Sequence, residues 1–252
     1  MNAFKVLMLL ARPAAGKSEI IRYLKNTPPA ERLARFHVGQ IAEIDDFPML
    51  WTWFEEDDLL AEMGKPRLYS TPDGYFRESY LWDLLIRRIS LEYIKRQRDY
   101  PAQGGPVTTL IEFARGTEHG GWQGAFASLS AAVAQDAAIL YVNVSYAESL
   151  RKNRRRFNPQ RPDSILEHGL SDDKMERLYR DSDWQAVSGG ASAGRIAIQG
   201  QGTPFVVFEN EDDVTTPGGE PLGQRLQTTL GSLWDEYSND QAGINVPPPF
   251  RE

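Results

Sequence analysis

Apolar positions along this chain fall into short continuous runs and helical stripes that alternate with one another. Residues 6–10, Val-Leu-Met-Leu-Leu, form an uninterrupted run, the pattern of a strand buried on both faces. A helix is predicted over 18–25, with Ile20, Ile21 and Leu24 on one face and Asn26-Thr27-Pro28-Pro29 ending it. A second strand is expected over 36–44, then a helix over 49–63 with Pro48 at its start. Residues 65–76 read as a loop around the turn signal Pro72-Asp73-Gly74. The strongest helical pattern covers 78–98, where Trp82, Ile86, Ile89 and Tyr93 make one stripe. Further strands are predicted over 107–111, 138–144 and 204–209, and further helices over 125–133, 148–157, 171–184 and 222–237. Residues 116–124 read as a glycine-rich loop, 158–163 as a loop, 188–202 as a Gly/Ser-rich mobile connection, and the proline-rich tail as loosely held. This alternation predicts an α/β protein, three layers α/β/α around a mostly parallel sheet. It reads as one domain over 1–252, with an acceptor-binding insertion at 47–80 and a lid with its connection at 150–202.

The first strand runs into Ala11-Arg12-Pro13-Ala14-Ala15-Gly16-Lys17-Ser18, with a helical pattern immediately after. A strand, a tight loop and a helix start in that order form a phosphate cradle. The amides of residues 14–18 would converge on a β-phosphate, Lys17 would reach the β- and γ-phosphates, and the Ser18 hydroxyl would hold Mg²⁺. Pro13, Ala14, Ala15, Gly16, Lys17, Ser18 and Glu19 are therefore the expected nucleotide-binding residues, and Lys17 is also a catalytic candidate.

Phosphoryl transfer further needs a group to orient or deprotonate the acceptor, a metal shell, and positive charge over the γ-phosphoryl. Asp45 and Asp46 close the second strand, where ligands bind in open α/β sheets. One is placed to take a proton from a substrate hydroxyl and the other to touch Mg²⁺ through water, while Asp46 is equally suited to cap the following helix. Glu112 ends the next apolar strand and suits a second place in the metal shell, with Arg115 available to bridge a phosphate or to pin Glu112. Arg151, Lys152, Arg154, Arg155, Arg156 and Arg161 crowd one segment, the expected lid, with Arg154, Arg155 and Arg156 at its centre. Trp51, Trp53, Phe54, Tyr69, Tyr75, Phe76 and Tyr80 are candidates to stack a flat acceptor, whereas Trp82 belongs to a core stripe. His37, His119 and His168 lack metal-ligand spacing and read as structural or solvated.

The 252 residues suffice for a sizeable core, and the formal net charge of −7 does not favour a nucleic-acid partner. The sequence has no cysteine, which excludes disulfides, Cys-zinc sites and thiol catalysis. The first apolar run is too short for a secretory core, and no window approaches the ~20 apolar residues of a membrane span, so the cytoplasm is the expected location and no membrane partner is foreseen.

The phosphate loop is similar to the Gly-x-Pro-Gly-x-Gly-Lys-Ser/Thr loop of nucleoside monophosphate kinases such as adenylate kinase, within the P-loop NTPase superfamily. Ala11 and Ala14 stand where that loop has glycine. Asp45-Asp46-Phe47 resembles the Asp-Asp-Phe motif of uridine and nicotinamide riboside kinases, which by position implies Asp45 as the base and leaves Asp46 to the metal. Glu112 with its nearby Arg resembles the Glu-Arg-Ser motif of deoxynucleoside kinases. Phe208-Glu209-Asn210 resembles the segment near the adenine, which makes Asn210 a nucleotide-binding candidate. The resemblance implies a P-loop fold and an ATP- and Mg²⁺-dependent transfer of phosphate to a small-molecule acceptor. A nucleotide acceptor is not indicated, because the nearest echo of the monophosphate-kinase signature, Asp73-Gly74-Tyr75-Phe76-Arg77, lacks its proline. An NTPase regulator or a non-catalytic nucleotide binder is the alternative.

Overall fold

The computed structural model describes residues 2–99, 105–156, 160 and 169–243, the last four by their backbone alone. Arg161, His168 and the tail beyond 243 lie outside the described residues.

Six strands form one sheet: β1 (Val6–Ala11), β2 (Gln40–Asp45), β3 (Val107–Phe113), β4 (Ala137–Asn143), β5 (Ala193–Ile198) and β6 (Gln201–Glu209), in the spatial order β2-β3-β1-β4-β6-β5. All pairs are parallel except β5 with β6. The central strand shows why a continuous apolar run was needed. Leu7, Leu9 and Ala11 face one core with Ile20, Leu24, Leu226 and Leu230. Val6, Met8 and Leu10 face the other with Ile86, Ile89, Trp122 and Tyr141. Both faces are covered, as parallel sheets require. Truncating Leu9 to Ala would cost about 2–5 kcal/mol through lost burial and the cavity left behind.

The helices are α1 (Lys17–Asn26), α2 (Pro29–Phe36), α3 (Asp46–Glu62), α4 (Tyr80–Asp99), α5 (Gly121–Ser128), α6 (Ala131–Asp136), α7 (Tyr146–Arg156), α8 (Asp172–Tyr179), α9 (Trp184–Ser188) and α10 (Gly219–Gly243). The order and type of most expected elements hold, but the stretch read as a glycine-rich loop over 116–124 already contains the start of α5 at Gly121, and four further departures stand beside it. Helix α2, which starts on Pro29, was not foreseen, and it occupies Phe36, so β2 begins at Gln40. Buried Arg32 locks α2 by donating to the carbonyls of Gly39 and Leu24, both at 3.1 Å. The helix expected over 125–133 is two, α5 and α6, broken at Leu129 and recapped by Ser130, whose hydroxyl accepts from the amide of Val133. The segment expected over 171–184 likewise divides into α8 and α9. Finally, the Gly/Ser-rich connection contains β5, paired to β6 through a two-residue turn, Gln199 (φ 49°) and Gly200 (φ 78°). Two positive φ values in succession match the twist of antiparallel strands.

Among the described residues no helix is long and apolar enough to cross a membrane.

Candidate active site

Burial of β1 up to Ala11 and the start of α1 at Lys17 leave five residues to reverse the chain. They do so with Ala14 at φ 54° and Gly16 at φ 113°. The loop is held from outside. Ser149 donates to the carbonyl of Pro13 at 2.7 Å and Asn210 to that of Ala15 at 2.8 Å. Arg12 reaches the carbonyls of Tyr179, Arg180 and Val144 at 3.1, 3.1 and 3.3 Å, which ties the loop to the end of α8 and the exit of β4. Among the described residues the amides of Ala14 to Ser18 donate to no protein acceptor. An anion at a helix start meets donors of this kind. Ser18 is exposed at the first turn of α1 and Glu19 is half-buried beside it.

Asp45 and Glu112 are register partners at the carboxyl ends of β2 and β3. Burial raises both carboxyls, and mutual repulsion among Asp45, Glu112 and Asp46 adds to it. Asp45 is pushed up to about 8, and the ammonium of Lys17 opposes the rise. Glu112 is likewise held above the carboxylate range, with Lys17 and Arg156 pulling the other way. Lys17, Asp45, Glu112 and Arg156 thus share one electrostatic neighbourhood. Two acids that share the neighbourhood of Lys17 suit Mg²⁺ chemistry, since that ion takes one or two protein carboxylates and fills its shell with water and phosphate oxygens. Among the described residues no group of three His, Cys, Asp or Glu side chains is placed to hold a metal ion by itself.

Several sequence-based assignments change. The cap of α3 is Asp45, accepting from the amide of Phe47 at 3.0 Å, not Asp46. Asp46 is buried, and its Oδ2 accepts from Arg115 at 2.6 Å, a buried ion pair that the sequence did not foresee. The same contact means that Arg115 pins Asp46 rather than Glu112. Arg115 is itself buried between the rings of Trp82 and Phe113, 5.2 and 5.3 Å from their centres. Arg154 is exposed and forks onto Asp172, and Arg155 is exposed against Asp213 and Thr216. Arg156, the third of that run, is the one whose charge reaches Glu112 and Glu19. Asn210 is fully buried and engaged by the phosphate loop and Thr215, which leaves it no face for a nucleobase.

The 47–80 segment builds an aromatic wall. Trp53 stacks on Tyr69 with ring centres 5.1 Å apart, and Phe76 meets Trp53, Phe54 and Trp82. Phe47 and Trp51 lie together at the start of α3. One buried carboxylate, Asp57, holds the loop that carries Tyr69, accepting from the amides of Leu68 and Tyr69 at 2.6 and 2.8 Å and from the hydroxyl and amide of Ser70. The loop docks on α8, where Lys174 donates to the carbonyl of Gly74 at 3.0 Å and Arg177 covers the ring of Tyr75. His119 is buried and stacked on Trp82 at 3.8 Å. Burial, aided by the charge of Arg115, lowers its pKa to about 2, so it is a neutral packing group. A groove of about 410 Å³ runs beside α1 and the loop before α10, lined by Glu19, Arg22, Tyr23, Thr215, Thr216 and Leu222 among others.

Sequence reasoning missed Ser149, Thr215 and Asp57. Each is a common polar residue whose role exists only through a partner distant in the chain.

No family model and no curated protein sequence matches the chain. Sixty-six chains of solved structures do, among them shikimate kinase from Acinetobacter baumannii in complex with shikimate, at 10% identity and a TM-score of 0.33, over 75% of this chain and 78% of that one. A likeness so distant decides nothing about the site. The chain's own strand order shows a three-layer α/β/α arrangement around a mostly parallel sheet, with a tight loop joining β1 to α1.

Proposed function

We propose that this protein transfers the γ-phosphoryl of ATP, with Mg²⁺, to a hydroxyl- or phosphate-bearing small molecule. The observation that carries the reading is the outward fastening of the loop carbonyls of Pro13 and Ala15, with Lys17 beyond them in electrostatic contact with Asp45 and Glu112. In this reading the amides of residues 14–18 and Lys17 bind and orient the triphosphate, and the groove beside α1 takes the base. Ser18 and Glu112 hold Mg²⁺. The metal supplies charge neutralisation on the phosphates.

In this reading an acceptor held between the aromatic wall and the loop presents its hydroxyl to Asp45. A carboxyl group with a pKa near neutrality is suited to take that proton. Arg156 stabilises charge on the transferring group, in place of Arg154 or Arg155. The aromatic wall and the buried Asp57 that holds it favour a flat or partly apolar acceptor. The strain at Ala14 is the feature that favours a non-catalytic nucleotide binder instead.

A phosphotransfer screen separates the two. Mg-ATP is presented with nucleosides, nucleotides, sugars and small acids, with Lys17→Ala as control. ADP release that requires one acceptor class and vanishes in Lys17→Ala is expected. ATP binding without turnover for any acceptor would select the binder, and a rate stimulated only by a protein would select a regulatory NTPase.

A further inference from the structure

Ala14 is where the phosphate loop is strained. Its φ of 54° is a left-handed conformation, disfavoured for a residue that carries a Cβ. Two side chains from elsewhere in the fold fasten the peptide before it and the peptide one residue beyond it. Ser149 of α7 holds the carbonyl of Pro13, and Asn210, just past β6, holds that of Ala15. In a trans peptide the N–H points opposite to the C=O. The carbonyl of Pro13 shares its peptide with the amide of Ala14, and that of Ala15 with the amide of Gly16. Drawing the two carbonyls outward therefore turns these two amides to the opposite side.

The fasteners are braced in their turn. Ser149 and Asn210 are fully buried. Asn210 also donates to Thr215 Oγ1 at 2.8 Å and accepts from the Thr215 amide at 3.3 Å. Thr215 Oγ1 accepts from the buried Lys152 at 3.1 Å, and Lys152 pairs with Asp213 at 2.6 Å. A Cβ on Gly16 would stand 2.6 Å from Thr215 Oγ1, so the loop rests on this brace without slack.

We propose that Ser149 and Asn210 are positioning residues for the nucleotide, which hold the phosphate loop with its amides turned toward the anion against the strain at Ala14. The inference rests on the phosphotransfer reading above. It gives α7 two tasks on one helix: Ser149 fastens the loop from behind, and Arg156, two turns on, brings a positive charge that Glu112 feels.

Calorimetry tests this on the folded chain with two probes, Mg-ATP and inorganic tripolyphosphate, which has no base. Ser149→Ala and Asn210→Ala are each expected to weaken both probes about tenfold, the equivalent of one lost hydrogen bond. In turnover the loss falls on the KM for nucleotide and leaves the KM for acceptor unchanged. Ala14→Gly placed in the Ser149→Ala background recovers most of the affinity, because glycine holds a positive φ without a fastener. A merely structural role for Ser149 would lower the melting temperature without the recovery. Should Asn210→Ala fail to fold, Ser149→Ala decides. Wild-type protein that binds both probes while Ser149→Ala binds them equally well, or shows no recovery with Ala14→Gly, overturns the inference alone. Wild-type protein that binds neither overturns the phosphotransfer reading together with it.

Discussion

Replacing Asp45 with Asn separates stability from function at a single atom. The folded protein holds the Asp45 carboxyl at about 8 against an ordinary 3.8, through burial first and the repulsion of Glu112 and Asp46 second. Between these two values the folded state keeps a proton that the unfolded chain gives up, so stability falls as pH rises through that window. Each pH unit in the window costs about 1.4 kcal/mol, which by pH 7 amounts to about 4 kcal/mol. Asn carries no charge and is as good a helix cap as Asp, so the contact with the amide of Phe47 survives. Asp45→Asn should therefore stabilise the ligand-free protein at pH 7 by about 4 kcal/mol, on the order of 10 °C in melting temperature, while abolishing phosphotransfer. At pH 4 the advantage shrinks below about 1 kcal/mol, because that pH lies barely above the ordinary value and the unfolded wild-type chain keeps much of its proton there too. Denaturant melts of the two proteins between pH 4 and 8 measure this. Parallel stability profiles would refute the reasoning, since they would mean that Asp45 is not a desolvated acid.

Other outcomes follow from the same geometry. Arg156→Ala should lower kcat/KM by about 10- to 1000-fold, whereas Arg154→Ala, which breaks an exposed pair with Asp172, should stay within about threefold in steady-state kinetics. Asp57→Ala leaves the amides of Leu68, Tyr69 and Ser70 facing a vacated carboxylate, so it should cost about 2–4 kcal/mol in urea melts and raise the KM for acceptor more than that for ATP. Binding of Mg-ATP at pH 7 should release protons, because a cation beside Asp45 and Glu112 favours their charged forms; this reads out as a binding enthalpy that varies with the ionisation heat of the buffer.

Much of the fold was legible because its signals are local. The run at 6–10 had to be a central strand, since only burial on both faces tolerates five apolar residues in a row. The turn between β1 and α1 was legible because strand, loop and helix start are contiguous. That Asp45 and Glu112 fall at the carboxyl ends of neighbouring strands followed from the strand ends alone. Elements that depend on distant partners were not. Helix α2 is stabilised by Arg32 reaching back to Leu24 and forward to Gly39, and β5 exists only by pairing with β6. The contacts within the arginine run depend on which way α7 faces, which composition does not encode: Arg154 pairs with Asp172 and Arg155 with Asp213, while Arg156 is the one whose charge Glu112 feels. Asn210 was noticed for its place after the last strand, but its buried amide is a fastener of the loop and not a base contact.

The central claim is that the turn between β1 and α1 grips a triphosphate through its amides and the Lys17 ammonium. Isothermal titration of the purified chain with ATP, with and without Mg²⁺, tests it directly. The account expects saturable binding that is strengthened by Mg²⁺ and abolished by Lys17→Ala, with the variant still melting cooperatively near the wild-type temperature. Absence of binding heat and of thermal stabilisation in the wild-type protein, or equal binding by Lys17→Ala, would contradict it.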